Sequence, residues 1–305
     1  MRSLNSPTQR IRSPKLTRAA AHLADRLETK DKPVLSQFEF FQIVLAMYRE
    51  SSGKKLYLRR KTPDRDDIVR FRSILKTAGA ITSDRDYGSR VIRVLSVSDQ
   101  LAEDIVCLVD PTCYVSHLSA MQRWGLTDRT PRALALTRPD RKTAIAALRA
   151  HMNEATHKAE NNPYPLTLVQ HPHRVRRRDV TMYESKTAGA FMTNQGTDIR
   201  LSTVGQTFLD MLQRPDLCGG MSHVLDVWEE HASKFLDEIA STIDQTPKAL
   251  IKSRAGYILE ERLGLHHPCI ERWKAFGQRG GSRKLDPTRD FAPEFSETWM
   301  ISLNV

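Results

Sequence analysis

Residues 62–95, TPDRDDIVRFRSILKTAGAITSDRDYGSRVIRVL, decide how the first third of the chain is read. Thr62 is placed to act as an N-cap, and Pro63 suits a first helical position, where its missing N–H goes unneeded. Asp64, Asp66 and Asp67 follow at the positive end of the helix dipole. Ile68, Phe71, Ile74, Leu75 and Ala78 recur at helical spacing as one apolar stripe, and Gly79 supplies the stop. At about 100° per residue, Arg65, Val69, Arg72, Ser73 and Lys76 fall on the side away from that stripe. Strands over 80–84 and 90–95 then flank Arg85-Asp86-Tyr87-Gly88-Ser89, with Tyr-Gly as the turn. A helix with a cationic outer face, followed by a two-stranded ribbon, is what the reading end of a winged helix-turn-helix requires. Arg65, Arg72, Ser73 and Lys76 are then expected in the major groove of DNA. Arg59, Arg60, Lys61, Arg85 and Arg90 are expected on phosphates or in the minor groove. The competing account is a solvated helix and hairpin whose charges only confer solubility.

The distribution of charge favours the first account. The 305 residues carry a formal net charge of +11. Residues 1–100 hold 21 Lys+Arg against 11 Asp+Glu, whereas residues 101–305 hold 26 against 25. A basic module joined to a neutral one is the signature of a nucleic-acid reader attached to something else, and the length allows two domains. The four cysteines form no CxxC pair and sit in or beside apolar segments, as reduced structural thiols do. Neither His266-His267-Pro268-Cys269 nor His171-Pro172-His173 has a second ligand pair at zinc-site spacing, so no metal and no cofactor are expected. No apolar run approaches the ~20 residues of a membrane span, and the N-terminus lacks a signal-peptide core. The expectation is a soluble, cytoplasmic protein.

Working outward, residues 1–14 are rich in Ser, Pro and Arg and read as a disordered basic tail. A helical pattern over 15–28 (Leu16, Ala19, Ala20, Leu23, Leu27) is broken by Lys30-Asp31-Lys32-Pro33. A second helix starts at Ser36 with Phe40, Phe41, Val44, Leu45 and Tyr48 on its apolar face. The basic stretch 54–61 with its interleaved Tyr57 is expected to serve as a phosphate track. The DNA-binding domain is placed at 15–100, a linker helix at 101–112, and a larger mixed α/β domain at 113–305; the fold class is α+β. Within that second domain the pattern predicts a helix from Cys113 ending at Gly125, a strand over 133–137 and a helix over 141–159. Strands are expected at 166–170, 181–185 and 199–202. A helix stopped by Pro215 and Gly219-Gly220 leads into one long helix over 221–240, and a further helix covers 248–263. A flexible basic loop over 277–284 precedes an extended C-terminal tail.

Four segments of this second domain, in this order, resemble the AbiEi family, the antitoxins of a type IV toxin–antitoxin system. They are Tyr114-Val115-Ser116-His117-Leu118-Ser119-Ala120 with Gly125-Leu126-Thr127 and Pro131-Arg132; Thr207-Phe208-Leu209-Asp210 running to Arg214-Pro215-Asp216-Leu217-Cys218-Gly219-Gly220; Ala255-Gly256-Tyr257-Ile258-Leu259-Glu260; and Gly281-Ser282-Arg283 with Leu285-Asp286-Pro287. Gln206 stands where the family pattern has a glutamate. The resemblance implies an N-terminal winged helix that represses its own operon through inverted-repeat operator DNA. It also implies a C-terminal antitoxin domain and a nucleotidyltransferase toxin as functional partner, with or without a stable complex. The sequence leaves the oligomeric state open. The alternative is a DNA-associated nuclease or effector, in which Asp179, Glu184 and Lys186 resemble the acidic pair and lysine of metal-dependent nucleases. The spacing is short and lacks a supporting acid, so no catalytic residues are assigned. Arg174, Arg176, Arg177 and Arg178 form the main basic run outside the first domain, an auxiliary nucleic-acid or toxin contact or an exposed loop.

Overall fold

A computed structural model describes residues 16–50, 56–58, 60–156, 167–186, 189–193, 195–277 and 283–305. The fold is α+β. Its contacts divide it into two units, Met1–Leu101 with Leu148–Val169, and Ala102–Ala147 with Gln170–Val305.

The first unit runs α1 (Arg18–Thr29), β1 (Val34–Ser36), α2 (Gln37–Glu50), α3 (Arg65–Thr77), β2 (Ile81–Asp84), β3 (Gly88–Val94). Its sheet has the order β1-β3-β2, antiparallel throughout. Strand β1 has no counterpart in the sequence reading, because three residues between two helices show no alternation to detect. Its last residue, Ser36, and Glu39 cap α2 reciprocally: the Ser36 N–H donates to Glu39 Oε2 at 2.8 Å and the Glu39 N–H to Ser36 Oγ at 3.1 Å. The apolar faces read from the sequence meet in one core: Leu23 and Leu27 of α1, Phe40, Phe41 and Val44 of α2, Ile68, Phe71 and Leu75 of α3, and Ile81, Ile92 and Val94 of the ribbon. The cap of α3 differs from expectation. Asp64, rather than Thr62, is the N-cap, because Asp67 three residues on completes a capping box that Thr62 cannot form.

The second unit opens with α4 (Ala102–Val109), then β4 (Tyr114–Val115), α5 (His117–Arg123), β5 (Leu134–Pro139) and α6 (Arg141–Thr156), the last having residues in both units. There follow β6 (Arg174–Val175), β7 (Arg178–Ser185), β8 (Phe191–Thr193), β9 (Arg200–Ser202), α7 (Val204–Gln213), α8 (Met221–His231), α9 (Leu236–Gln245), α10 (Ala249–Gly256), α11 (Pro268–Trp273), β10 (Phe295–Ser296) and β11 (Ile301–Ser302). A mixed sheet has the order β6-β7-β5-β4-β9-β8. The helix expected to link two domains is instead part of this unit: Ile105, Val106, Cys107 and Val109 of α4 are buried. Residues 113–125 are not one helix, since Tyr114 and Val115 pair with β5 and β9 before α5 begins at His117. The long helix expected over 221–240 is two, broken at Ala232–Phe235. Of the expected strand at 166–170, residue 166 lies outside the described residues and 167–170 are not in a strand. The basic tail 1–14, residues 157–159 of the expected helix and 278–282 of the basic loop also lie outside them.

The helical core gathers Phe208, Trp228, Ile239, Ile258, Trp273 and Trp299. Two glycines permit its close approaches. A Cβ on Gly205 would sit 2.4 Å from the Glu238 carbonyl oxygen, and one on Gly256 would sit 2.1 Å from the buried Trp299 ring. The Ala255-Gly256-Tyr257 segment is thus fixed by packing against the C-terminal hairpin.

Candidate nucleic-acid interface and a polar cavity

In α3 the side facing the core is set by Ile68, Phe71 and Leu75, so Arg65, Val69, Ser73 and Lys76 are exposed and Arg72 is half-buried. The neighbouring Arg70 has a different role. It donates to Asp67 at 2.8 Å and lies 5.1 Å from the Phe71 ring centroid. Burial of Tyr48, with the Asp67 carboxylate beside it, pushes the Tyr48 hydroxyl up to about 12, so this side of the helix is a closed polar contact. Among the described residues, Arg65, Arg72 and Lys76 have no ion-pair partner.

The β2–β3 ribbon is built around Asp84, whose Oδ1 accepts from the N–H groups of Asp86 at 2.9 Å and Tyr87 at 3.0 Å. This Asx turn and the left-handed Gly88 (φ 62°) close the hairpin. Tyr87 is buried, and Arg85 and Arg90 are exposed near the tip. Arg85 is tied to Asp99 at 3.3 Å, whereas Arg90 has no ion-pair partner among the described residues. Lys61 is exposed, Arg60 pairs with Asp64, and Arg59 lies outside the described residues, as do Lys54 and Lys55 of the basic stretch. Among the described residues the chain therefore presents Arg65, Arg72, Lys76 and Arg90 without an ion-pair partner and Ser73 exposed beside them, while Arg60 and Arg85 would have to give up a carboxylate to reach a phosphate.

The second unit treats its charges otherwise. Arg174, Arg176, Arg177 and Arg178 form a tight β6–β7 hairpin rather than an open loop. Arg176 (φ 48°) and Arg177 (φ 66°) occupy its two left-handed positions, a geometry that normally selects Asn-Gly. Arg174 pairs with Asp179 at 2.7 Å and Glu184 with Arg138 at 2.8 Å. Asp179 and Glu184 are five residues apart on β7 and so point to opposite faces of the sheet. Glu184 and Lys186 both line one cavity, but Asp179 is not among its lining residues, so the three do not converge as a metal-dependent nuclease site needs.

A cavity of about 890 Å³ does open in this unit, lined by Tyr114, His117, Tyr183, Gln206, Asp210 and Lys248 among others. Gln206 bridges its wall: Oε1 accepts from the Ala190 N–H at 3.2 Å and Nε2 donates to Asp210 Oδ1 at 2.7 Å. Asp210 Oδ2 has no partner among the described residues. Burial lifts this carboxyl to about 7 and drops the His117 imidazole to about 4, so both favour their neutral forms. His117 is held by Ser116 Oγ at 2.8 Å and meets the Tyr183 ring edge-on at 5.2 Å. The sequence reading draws attention to Gln206, Glu184 and Lys186 in this lining, but residue chemistry along the sequence singles out neither His117 nor Asp210, which only burial distinguishes. The His266-His267 pair proves to be a helix start, with His267 Nδ1 accepting from the Cys269 N–H at 3.1 Å.

No protein-family model matches the chain, and no curated protein does. Among solved structures, the crystal structure of the RV2827C protein from Mycobacterium tuberculosis is similar, with a TM-score of 0.48 and 11% sequence identity over 94% of this chain and 92% of that one. No helix among the described residues is long and apolar enough to cross a membrane.

Proposed function

We propose that the chain is a cytoplasmic autorepressor and antitoxin of a type IV toxin–antitoxin system. In this reading the first unit is a winged helix-turn-helix that binds inverted-repeat operator DNA, and the second counteracts a nucleotidyltransferase toxin. The observation that supports DNA reading best is the outer face of α3. There Arg65, Arg72, Ser73 and Lys76 are left without protein partners among the described residues, beside a ribbon bearing Arg90. Arginine on such a face can address guanine through two parallel hydrogen bonds, and the remaining cations hold phosphates. The antitoxin half of the proposal rests on the order of the family-like segments across residues 113–290.

A titration of the full chain against operator and random duplexes tests the reader. The expected result is tighter binding to the operator and a steep loss of affinity with salt, because each phosphate contact releases counterions. Equal affinity for the two duplexes, or a flat salt response, overturns it. Growth of cells expressing a nucleotidyltransferase toxin encoded in the same operon tests the antitoxin role: co-expression of this chain restores growth, and unrelieved toxicity removes that role.

A further inference from the structure

Among the described residues, one group of metal-ligand side chains converges, and it lies outside the cavity and the basic face. Asp110, Cys113 and His171 place one ligand atom each within 4.8 Å of one another. All three side chains are buried: Asp110 and His171 are 2% and 3% exposed, and Cys113 is fully enclosed. Cys107, also buried, is beside this group but outside it, its thiol directed at the Arg200 carbonyl oxygen at 4.0 Å. We propose that Asp110, Cys113 and His171 form a zinc-binding site, with Cys107 drawn in as the fourth ligand when the ion binds.

The donor set suits that ion. Two sulfurs, an imidazole nitrogen and a carboxylate oxygen are what tetrahedral zinc takes. Zinc–sulfur and zinc–nitrogen bonds of about 2.3 and 2.0 Å imply donor separations of roughly 3.3–3.8 Å, so three donors already within 4.8 Å of one another close up on the ion and Cys107 turns in from outside that group. His171 Nε2 is already 3.1 Å from Asp110 Oδ2.

The groups around the donors hold them in place. Asp110 is oriented by Thr112, whose N–H and Oγ1 both reach its Oδ1, at 2.8 and 2.6 Å. The Arg200 guanidinium fixes the loop, donating to the carbonyl oxygens of Cys113 at 2.8 Å, Cys107 at 2.7 Å and Asp110. A metal site needs its ligand-bearing backbone fixed in this way. Arg200 also completes the charge balance, since two thiolates and one carboxylate are offset by a divalent ion together with one guanidinium. Binding releases the two thiol protons to solvent. The ligands come from two segments about sixty residues apart, which is why spacing within either histidine motif does not disclose them.

Cobalt(II), which takes the same geometry and is coloured, is the probe. Reduced, chelator-treated full-length protein is titrated with Co²⁺. The expected outcome is saturation at about one equivalent, sulfur-to-cobalt charge transfer in the near ultraviolet, tetrahedral bands in the visible, and loss of both on adding zinc. Cys113→Ser abolishes the spectrum, and Cys107→Ser reduces its charge-transfer intensity. Thr112→Val leaves the spectrum in place but weakens affinity about ten- to a hundred-fold. Failure of the wild type to take up Co²⁺, or a spectrum unchanged by Cys113→Ser, overturns the site. So does a Cys107–Cys113 disulfide that persists under reductant. The wild-type titration decides the matter even where a variant does not fold.

Discussion

Arginine does opposite jobs in the two units. On α3 of the first unit, Arg65 and Arg72 extend from a helix whose other face is packed, with no protein acceptor in reach among the described residues. In the second unit, Arg200 spans the carbonyls of the α4–β4 loop, and Arg254, only 4% exposed, donates to the carbonyl oxygens of Leu212 and Lys284, each at 2.8 Å. Net charge marks the first unit as basic, but what separates a surface built for an anionic partner from a structural staple is whether each guanidinium is already used. Substitutions should therefore differ in kind between the units.

The largest effect is expected at the staple. Arg254→Ala strands two buried carbonyl groups and removes packing, a loss of about 3–5 kcal/mol by the cost of unsatisfied polar groups. It should lower the midpoint of denaturant unfolding while leaving DNA affinity per folded molecule unchanged. A midpoint within error of wild type would show that the second unit does not depend on its buried guanidinium, and the contrast between units would fail.

The next largest lies at the cavity wall. Asp210 keeps its proton to about pH 7 in the folded chain against 3.8 for the ordinary carboxyl. Between those values the unfolded state binds fewer protons, so this group makes stability fall as pH rises through the window and level off above it. Asp210→Asn keeps an acceptor for Gln206 and carries no charge. It should therefore raise stability at pH 8 by about 2–4 kcal/mol, since each tenfold difference in the carboxyl's acidity between folded and unfolded chain is about 1.4 kcal/mol. At pH 4 the two proteins should match. Thermal unfolding across pH 4–8 checks this, and an equal pH slope in the variant would mean that Asp210 is hydrated and ionised.

The same division governs what can be read from the chain alone. The stripe of α3, its exposed cations, the ribbon and the Gly219-Gly220 break are local patterns that a one-dimensional period encodes, and the described residues keep them. Strand β4 is two residues long, too short for alternation to register. The apparent long helix over 221–240 conceals a break because α8 and α9 bury residues at a continuing helical spacing, and neither Gly nor Pro marks the turn at Ser233-Lys234. The cavity and the Asp110–Cys113–His171 cluster are assembled from segments far apart in sequence, and burial rather than residue type distinguishes Asp210 from other carboxylates. The cap of α3 falls two residues past the expected position because Thr62 and Asp64 are both good capping types. Only the reciprocal bond from Asp67 separates them.

The smallest change in stability carries the sharpest test of the comparison, because it contrasts two arginines on one helix. Arg70 is committed to the buried Asp67 carboxylate and to the Phe71 ring, whereas Arg72, two residues on, has no ion-pair partner among the described residues. Arg70→Ala leaves Asp67, 7% exposed, without its cation, at a cost of about 1–2 kcal/mol in stability. Arg72→Ala should stay within about 0.5 kcal/mol of wild type in stability, yet lose about 1–3 kcal/mol of discrimination between operator and random duplex. Paired measurements of unfolding and of binding to the two duplexes separate the roles. If Arg70→Ala loses discrimination as Arg72→Ala does, the effect belongs to the helix as a whole and not to the free guanidinium. If only Arg72→Ala loses it, the unpaired face of α3 is the surface that reads the sequence.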